Sequence, residues 1–211
     1  YICTQALHWK TKEGLVRGCA CRGTAGFAHV SCLAEQAKIL MDEVEENNLR
    51  NKARFEKWKR WNECSLCEQK YHGVVRCALG WACWKAYVGR PEKNGTRILA
   101  MQQLGNGLTA GGHYEDALSV RESELSMRRR LGLSDEINLV TLCNLANSYE
   151  HLGRHEEALR LKRDVYSGEL KLYGEESGKT ILAALNYASS LVNLERFEEA
   201  RALLRKSIPV A

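Results

Sequence analysis

Thr141-Leu-Cys-Asn-Leu-Ala-Asn-Ser-Tyr149, followed shortly by His155-Glu-Glu-Ala-Leu159, is one copy of a pattern that the chain writes three times. The preceding copy runs from Met101-Gln-Gln-Leu-Gly-Asn-Gly-Leu108 to His113-Tyr-Glu-Asp-Ala-Leu118. The following copy runs from Ala183-Ala-Leu-Asn-Tyr-Ala-Ser-Ser-Leu191 to Phe197-Glu-Glu-Ala-Arg201. Ala117, Ala158 and Ala200 recur at an almost constant interval, and Gly105, Ala146 and Ala188 each stand the same distance ahead of them. A small residue on one helix facing a small residue on the next lets two antiparallel helices approach closely. Leu104, Leu145, Tyr149, Tyr187 and Leu191 then fill the stripe beside them. Each helix pair needs its neighbour to bury its apolar face, so the fixed period predicts an α-solenoid of helix-turn-helix repeats.

The pattern resembles the tetratricopeptide repeat. Its period of about 42 residues, with Leu131-Gly132 and Tyr173-Gly174 closing the second helix, resembles the kinesin light-chain variety. The resemblance covers residues 98–211, about three copies, and departs from the pattern at Arg121 and Lys162, where an aromatic is usual. It implies a concave face lined by the first helix of each pair, with Gln102, Asn106, Cys143, Asn147, Leu185 and Ser189 facing a bound protein or peptide. Asparagine and glutamine amides there would pair with a peptide main chain. Leu203, Leu204 and Ile208 close the third copy with apolar residues that a solenoid normally covers, so the expectation is that the repeats continue beyond Ala211.

Outward toward the N-terminus the texture changes. Of nine cysteines, eight fall at or before Cys83 and only Cys143 lies beyond. Val88-Gly89-Arg90-Pro91 ends a helix, and residues 91–97 read as a linker between a first domain, 1–90, and the repeats, 98–211. An odd cysteine count, crowded into one half, fits a metal site in a reducing compartment better than a disulfide framework. The cytoplasm is the expected location, with the nucleus as the alternative. Cys19-x-Cys21, His29-x-x-Cys32 and Cys64-x-x-Cys67, with Cys3 upstream, supply thiolate and imidazole donors at chelating spacings.

This order resembles the RING-CH zinc finger. Cys19-Ala-Cys-Arg-Gly-Thr24 and His29-Val-Ser-Cys-Leu33 match its central motif, and Cys64-Ser-Leu-Cys67 matches its end. The resemblance implies a small cross-brace module holding two zinc ions. Cys19, Cys21, Cys64 and Cys67 would form one complete site. Cys3, His29 and Cys32 would form the other, with its fourth ligand one residue before Tyr1 or with the site degenerate. It also implies a structural rather than catalytic zinc, since four protein ligands leave no open position. RING-CH modules are ubiquitin ligases that hold a charged conjugating enzyme. Ile2 stands where that contact is made, while Gln36 and Glu68 depart from the residues usual at their positions. Two functions follow: a RING-type ligase whose repeats recruit a substrate, or a non-catalytic interaction scaffold with a structural zinc module. No Ser-His-Asp, glycine-rich phosphate loop or carboxylate cluster points to other catalysis.

Leu33, Ala37, Leu40 and Val44 predict a helix after the central motif, broken at Asn47-Asn48 before Phe55 and Trp58. Val74, Val75, Ala78, Leu79, Ala82 and Ala86 predict another, on which Cys77 and Cys83 read as buried small hydrophobes rather than ligands. The formal charge of +5 is offset by a metal site, since four thiolates on one zinc carry a net charge of about −2. The basic run Lys52 to Arg60 follows the acids Asp42, Glu43, Glu45 and Glu46 and reads as a solvated helix face, so nucleic acid is not the expected partner. No apolar run approaches the length of a membrane-spanning helix, so none is expected.

Overall fold

The computed structural model describes residues 3, 5–50 and 52–207. The fold is mainly helical, as the periodicity predicts, and divides into two compact units, residues 1–117 and 118–211.

In the first unit a short antiparallel hairpin, β1 (Val16–Arg17) with β2 (Phe27–Ala28), leads into α1 (Val30–Glu46). α2 (Lys52–Trp58), a 3₁₀ turn (Lys59–Trp61), α3 (Gly73–Tyr87) and α4 (Gly95–Ala110) follow. The stretch between Cys32 and Cys64 is no loose insertion. It buries Trp58 and Trp61 against Tyr87, with ring centroids 5.9 to 6.5 Å apart, over a core of Ala37, Met41, Val44 and Cys83. Leu40, expected on the buried stripe of α1, is half-buried, and Met41 takes the central place.

α3 and α4 form an antiparallel pair that meets at glycine. A Cβ on Gly107 would stand 2.8 Å from the Arg76 carbonyl oxygen and 3.2 Å from Gly80 Cα, distances no side chain tolerates without backbone movement. This crossing sets which face of α3 is inside. Cys77 and Cys83 are buried as expected, but Val74, expected on the buried stripe, is 81% exposed. The segment read as a linker is a turn, Pro91 to Asn94. Asn94 then caps α4 by accepting from the Thr96 and Arg97 amides at 3.0 and 3.2 Å.

The division between the units falls within α5 (Tyr114–Arg130). In the second unit α6 (Asp135–His151) pairs with α7 (His155–Tyr173), and α8 (Gly178–Asn193) pairs with α9 (Phe197–Ser207). The small residues at the repeat period lie in the core: Ala146 and Ala158 are fully buried, and Ala188 and Ala200 nearly so. Leu159, Leu191 and the half-buried Leu203 and Leu204 pack around the last pair, so α9 turns its leucines onto α8. Gly174 ends α7 at φ 81°, a left-handed conformation that costs glycine nothing. Among the described residues no helix is long and apolar enough to cross a membrane.

Candidate metal centre and interaction face

Two groups of metal-binding side chains converge in the first unit. The donor atoms of Cys19, Cys21, Cys64 and Cys67 all lie within 4.8 Å of one another, and so do those of Cys3, His29 and Cys32. The grouping interleaves along the chain: His29 and Cys32 lie in sequence between the two cysteine pairs of the other cluster.

Local backbone geometry presents the first four thiols. Cys19 and Cys21 follow β1. Cys64 and Cys67 sit in a tight turn closed by the Cys64 amide donating to Gln69 O at 3.0 Å and the Glu68 amide donating to Cys64 O at 3.0 Å. Glu68 takes a left-handed φ of 56° to make that turn. The Leu66 amide also points at the Cys64 sulfur, 3.4 Å away. Cys21 and Cys64 sulfurs are 3.7 Å apart. Burial, then the neighbouring Cys67, Cys19 and Cys64 thiols, push the Cys21 thiol up to about 12. Backbone bonds, that with Gln69 foremost, hold Cys67 down at about 7. Four sulfurs this close resist ionising together, and a divalent cation at their centre would relieve that repulsion.

In the second cluster His29 is buried, with Nδ1 3.6 Å from the Cys32 sulfur. Its Nε2 lies 3.4 Å from the Ala6 carbonyl oxygen, which can only accept. Nδ1 is thus the ring nitrogen turned toward the Cys32 sulfur, the one that a metal would take. The His29 amide also points at the Cys3 sulfur, at 3.3 Å. Burial and the adjacent Cys3 push Cys32 up to about 11. Among the described residues this cluster has three donors. Ile2 and the position before Tyr1 lie outside them.

The residues expected along a peptide groove fall in different units. In the first, Gln102 and Asn106 are half-buried and line a groove of about 440 Å³ with residues of α2. In the second, Asn147, Leu185 and Ser189 are exposed, whereas Cys143 is half-buried and packs against the Leu139–Val165–Ala183 core, and burial raises its thiol above the ordinary range. α6 and α8 run side by side in parallel: Lys179 Nζ donates to Glu136 Oε1 at one end and Ser190 Oγ to Glu150 Oε1 at the other, both at 2.6 Å. Two residues that sequence reasoning passed over join this face. Val140 and Leu182, one repeat apart, are 49% and 59% exposed. Apolar residues recurring at the repeat period outside the buried stripe were the signal available for them.

Residues 138–211 match a tetratricopeptide repeat family model. Among solved structures, the TPR-like repeats described as kinesin light chain from Podosopora anserina align at a TM-score of 0.53 with 15% identity, covering 84% of this chain and 86% of theirs. A point-substituted form of the same protein gives a TM-score of 0.54 at 16% identity over 84% and 85%. BtubC (BKLC) from P. vanneervenii aligns at 0.57 with 13% identity over 84% of this chain and 70% of its own. At such identities the likeness is one of fold. No curated protein matches the chain in sequence. The repeats are thus of tetratricopeptide kind, a fold suited to protein–protein interaction, and the cysteine clusters are able to hold a metal ion.

Proposed function

We propose that this chain is a protein-interaction scaffold in which a zinc-stapled cross-brace of RING-CH kind is joined to repeats that bind a protein partner on the α6–α8 face. The observation that carries the first half is the interleaved pair of clusters. A tetrahedral zinc with sulfur at about 2.3 Å sets its sulfurs about 3.8 Å apart, and Cys21 and Cys64 stand at 3.7 Å. A zinc held there by four thiolates would supply no reaction chemistry; it would tie Cys19 and Cys21, just after β1, to the Cys64–Cys67 turn, as a core does in a larger domain. The exposed row of Val140, Leu182 and Leu185, edged by Asn147 and Ser189, supports the second half: apolar anchors beside amide and hydroxyl groups suit a bound peptide segment. The test compares proteins retained from cell extract by the parent chain and by a Leu182→Asp, Leu185→Asp double variant. Partners lost with the double variant but kept by a variant altered at exposed charges elsewhere support the reading; identical retention by both removes it.

Ligase activity is the second reading, and one surface favours it. Beside the four-cysteine cluster lies a hollow of about 270 Å³ lined by Val16, Phe27, Leu33, Gln36 and Leu66, with Leu66 61% exposed. Such an apolar lip is where a conjugating enzyme would dock. Ubiquitin transfer across a panel of conjugating enzymes, lost in Leu66→Ala or Ile2→Ala with zinc retained, supports it. Transfer by none of them leaves the scaffold alone.

A further inference from the structure

Val74, left 81% exposed on α3, does not stand alone there. Val74, Ala78, Trp81, Lys85 and Val88 share one side of the helix, within an arc of about 80° at 3.6 residues per turn. Trp81 and Val88 are 41% and 38% exposed, and Val88, which ends α3, keeps a helical φ of −59° and ψ of −31°. We propose that this side of α3 is the contact of a homodimer, in which a second copy of the chain lays its own α3 antiparallel across it on a two-fold axis at Trp81. The proposal does not rest on the α6–α8 face.

The other sides of α3 are covered by the chain itself. Val75 and Leu79 pack with Cys19, Cys64 and Tyr71. Cys83 and Tyr87 pack with Trp58 and Trp61. Gly80 lies against α4, where an added Cβ would stand 2.9 Å from the Gln103 carbonyl oxygen. These contacts leave the Val74 side as the uncovered one. Apolar side chains scattered singly over a surface need no explanation, but a row repeating every seven residues is the pattern of a helix that packs on another helix.

Spacing selects the occupant. Val74 and Val88 each stand seven residues from Trp81, so the row reads the same from both ends. A two-fold contact requires that property: whatever a residue meets in the partner must meet it in return. Laid antiparallel about Trp81, each Val74 meets the partner's Val88, and the two indole rings meet offset at the centre, as aromatic pairs favour. Lys85 is the one charge in the row, and residues 70–90 hold no aspartate or glutamate. The two Lys85 positions would lie about 12 Å apart along the helix axis. That exceeds the screening length of about 8–10 Å, so the pairing sets no charges in conflict. Three large side chains a copy are far fewer than the roughly 20–30 residues a side of a stable complex. The dimer is therefore weak, forming at about 10–100 μM.

Sedimentation equilibrium of the full chain from about 1 to 200 μM reads this directly, and the mean mass should climb toward that of two chains. Trp81→Glu should weaken association at least about tenfold, and so should Val74→Glu, at a side chain exposed enough to leave the fold intact. The double variant Val74→Glu, Val88→Lys should recover association, because each glutamate then faces the partner's lysine. A parallel pairing would set like charges together instead. Ile39→Glu, on the exposed side of α1, should leave association unchanged. Far-UV dichroism confirms that each variant stays folded. A parent chain that stays monomeric throughout gives the row to a different partner and overturns the proposal. So does a single variant that associates as the parent does, a double variant that fails to recover, or loss of association in Ile39→Glu.

Discussion

Lys162 Nζ donates to Glu150 Oε1 at 2.6 Å, and the same oxygen accepts from Ser190 Oγ. One carboxylate on α6 therefore ties α7 to α8. Lys162 occupies the position where the repeat pattern has an aromatic and is itself buried, with 6% of its side chain exposed. The lysine thus replaces packing with a bridged polar contact between repeats, and removing its partner would leave a buried ammonium unpaired. Glu150→Ala is expected to destabilise the second unit by about 2 kcal/mol or more, whereas Lys162→Met should cost less than half of that. Urea unfolding followed by far-UV dichroism separates the two; equal losses would mean that the bridge is ornamental.

The same carboxylate makes a pH prediction. Burial pushes Glu150 up, but the bonds from Lys162 and Ser190 outweigh it and hold the group below the ordinary glutamate range. Its contribution is then present above the unfolded-state pKa and is lost as pH falls through the folded one. Stability of the second unit should drop on acidification toward and below that range, and the drop should be smaller in Glu150→Gln. An identical acid profile in the variant would assign the loss to other groups.

The α3–α4 crossing predicts a contrast between two glycines. Gly107→Ala drives a methyl into the Arg76 carbonyl and should cost about 1–3 kcal/mol. Gly95→Ala, at the start of α4, meets nothing within 4 Å and should be neutral or slightly stabilising. Tryptophan fluorescence during unfolding reads this cleanly, because all five tryptophans (Trp9, Trp58, Trp61, Trp81 and Trp84) lie in the first unit.

Hydrogen exchange should grade the repeats by how many neighbours each helix has. α7 packs on both α6 and α8, whereas α9 packs on α8. Amides of α9 are expected to exchange faster than those of α7 in a dilute sample. Equal protection would mean that something else covers α9, a second copy of the chain being the simplest cover.

The features most legible in the sequence were those that short spacings enforce. Soft donors two or three residues apart had to meet on one centre, and the pairs Cys19/Cys21 and Cys64/Cys67 do converge. Alanines at a fixed period had to be helix contacts, and Ala146 and Ala158 are fully buried. What escaped was phase and long-range partnership. The sequence put both Val74 and Cys77 on the inward side of α3, and only Cys77 is buried, because Gly80 meeting Gly107 on another helix sets the phase. Nor did it show that Trp58 and Trp61 would find Tyr87, or that Glu150 would bridge Lys162 and Ser190. Each of these rests on residues far apart in the chain, with no local pattern to announce them.

If a metal at the interleaved cysteine clusters folds the first unit, native mass spectrometry of the purified chain together with tryptophan fluorescence will show it. One zinc per chain should resist mild chelation, held by Cys19, Cys21, Cys64 and Cys67, with the three-donor cluster losing its ion more readily. Strong chelation or Cys64→Ser should remove that zinc and shift the tryptophan emission toward that of unfolded protein, while most of the helical signal of residues 118–211 persists. A metal-free chain with native tryptophan emission would mean that the first unit folds without a metal.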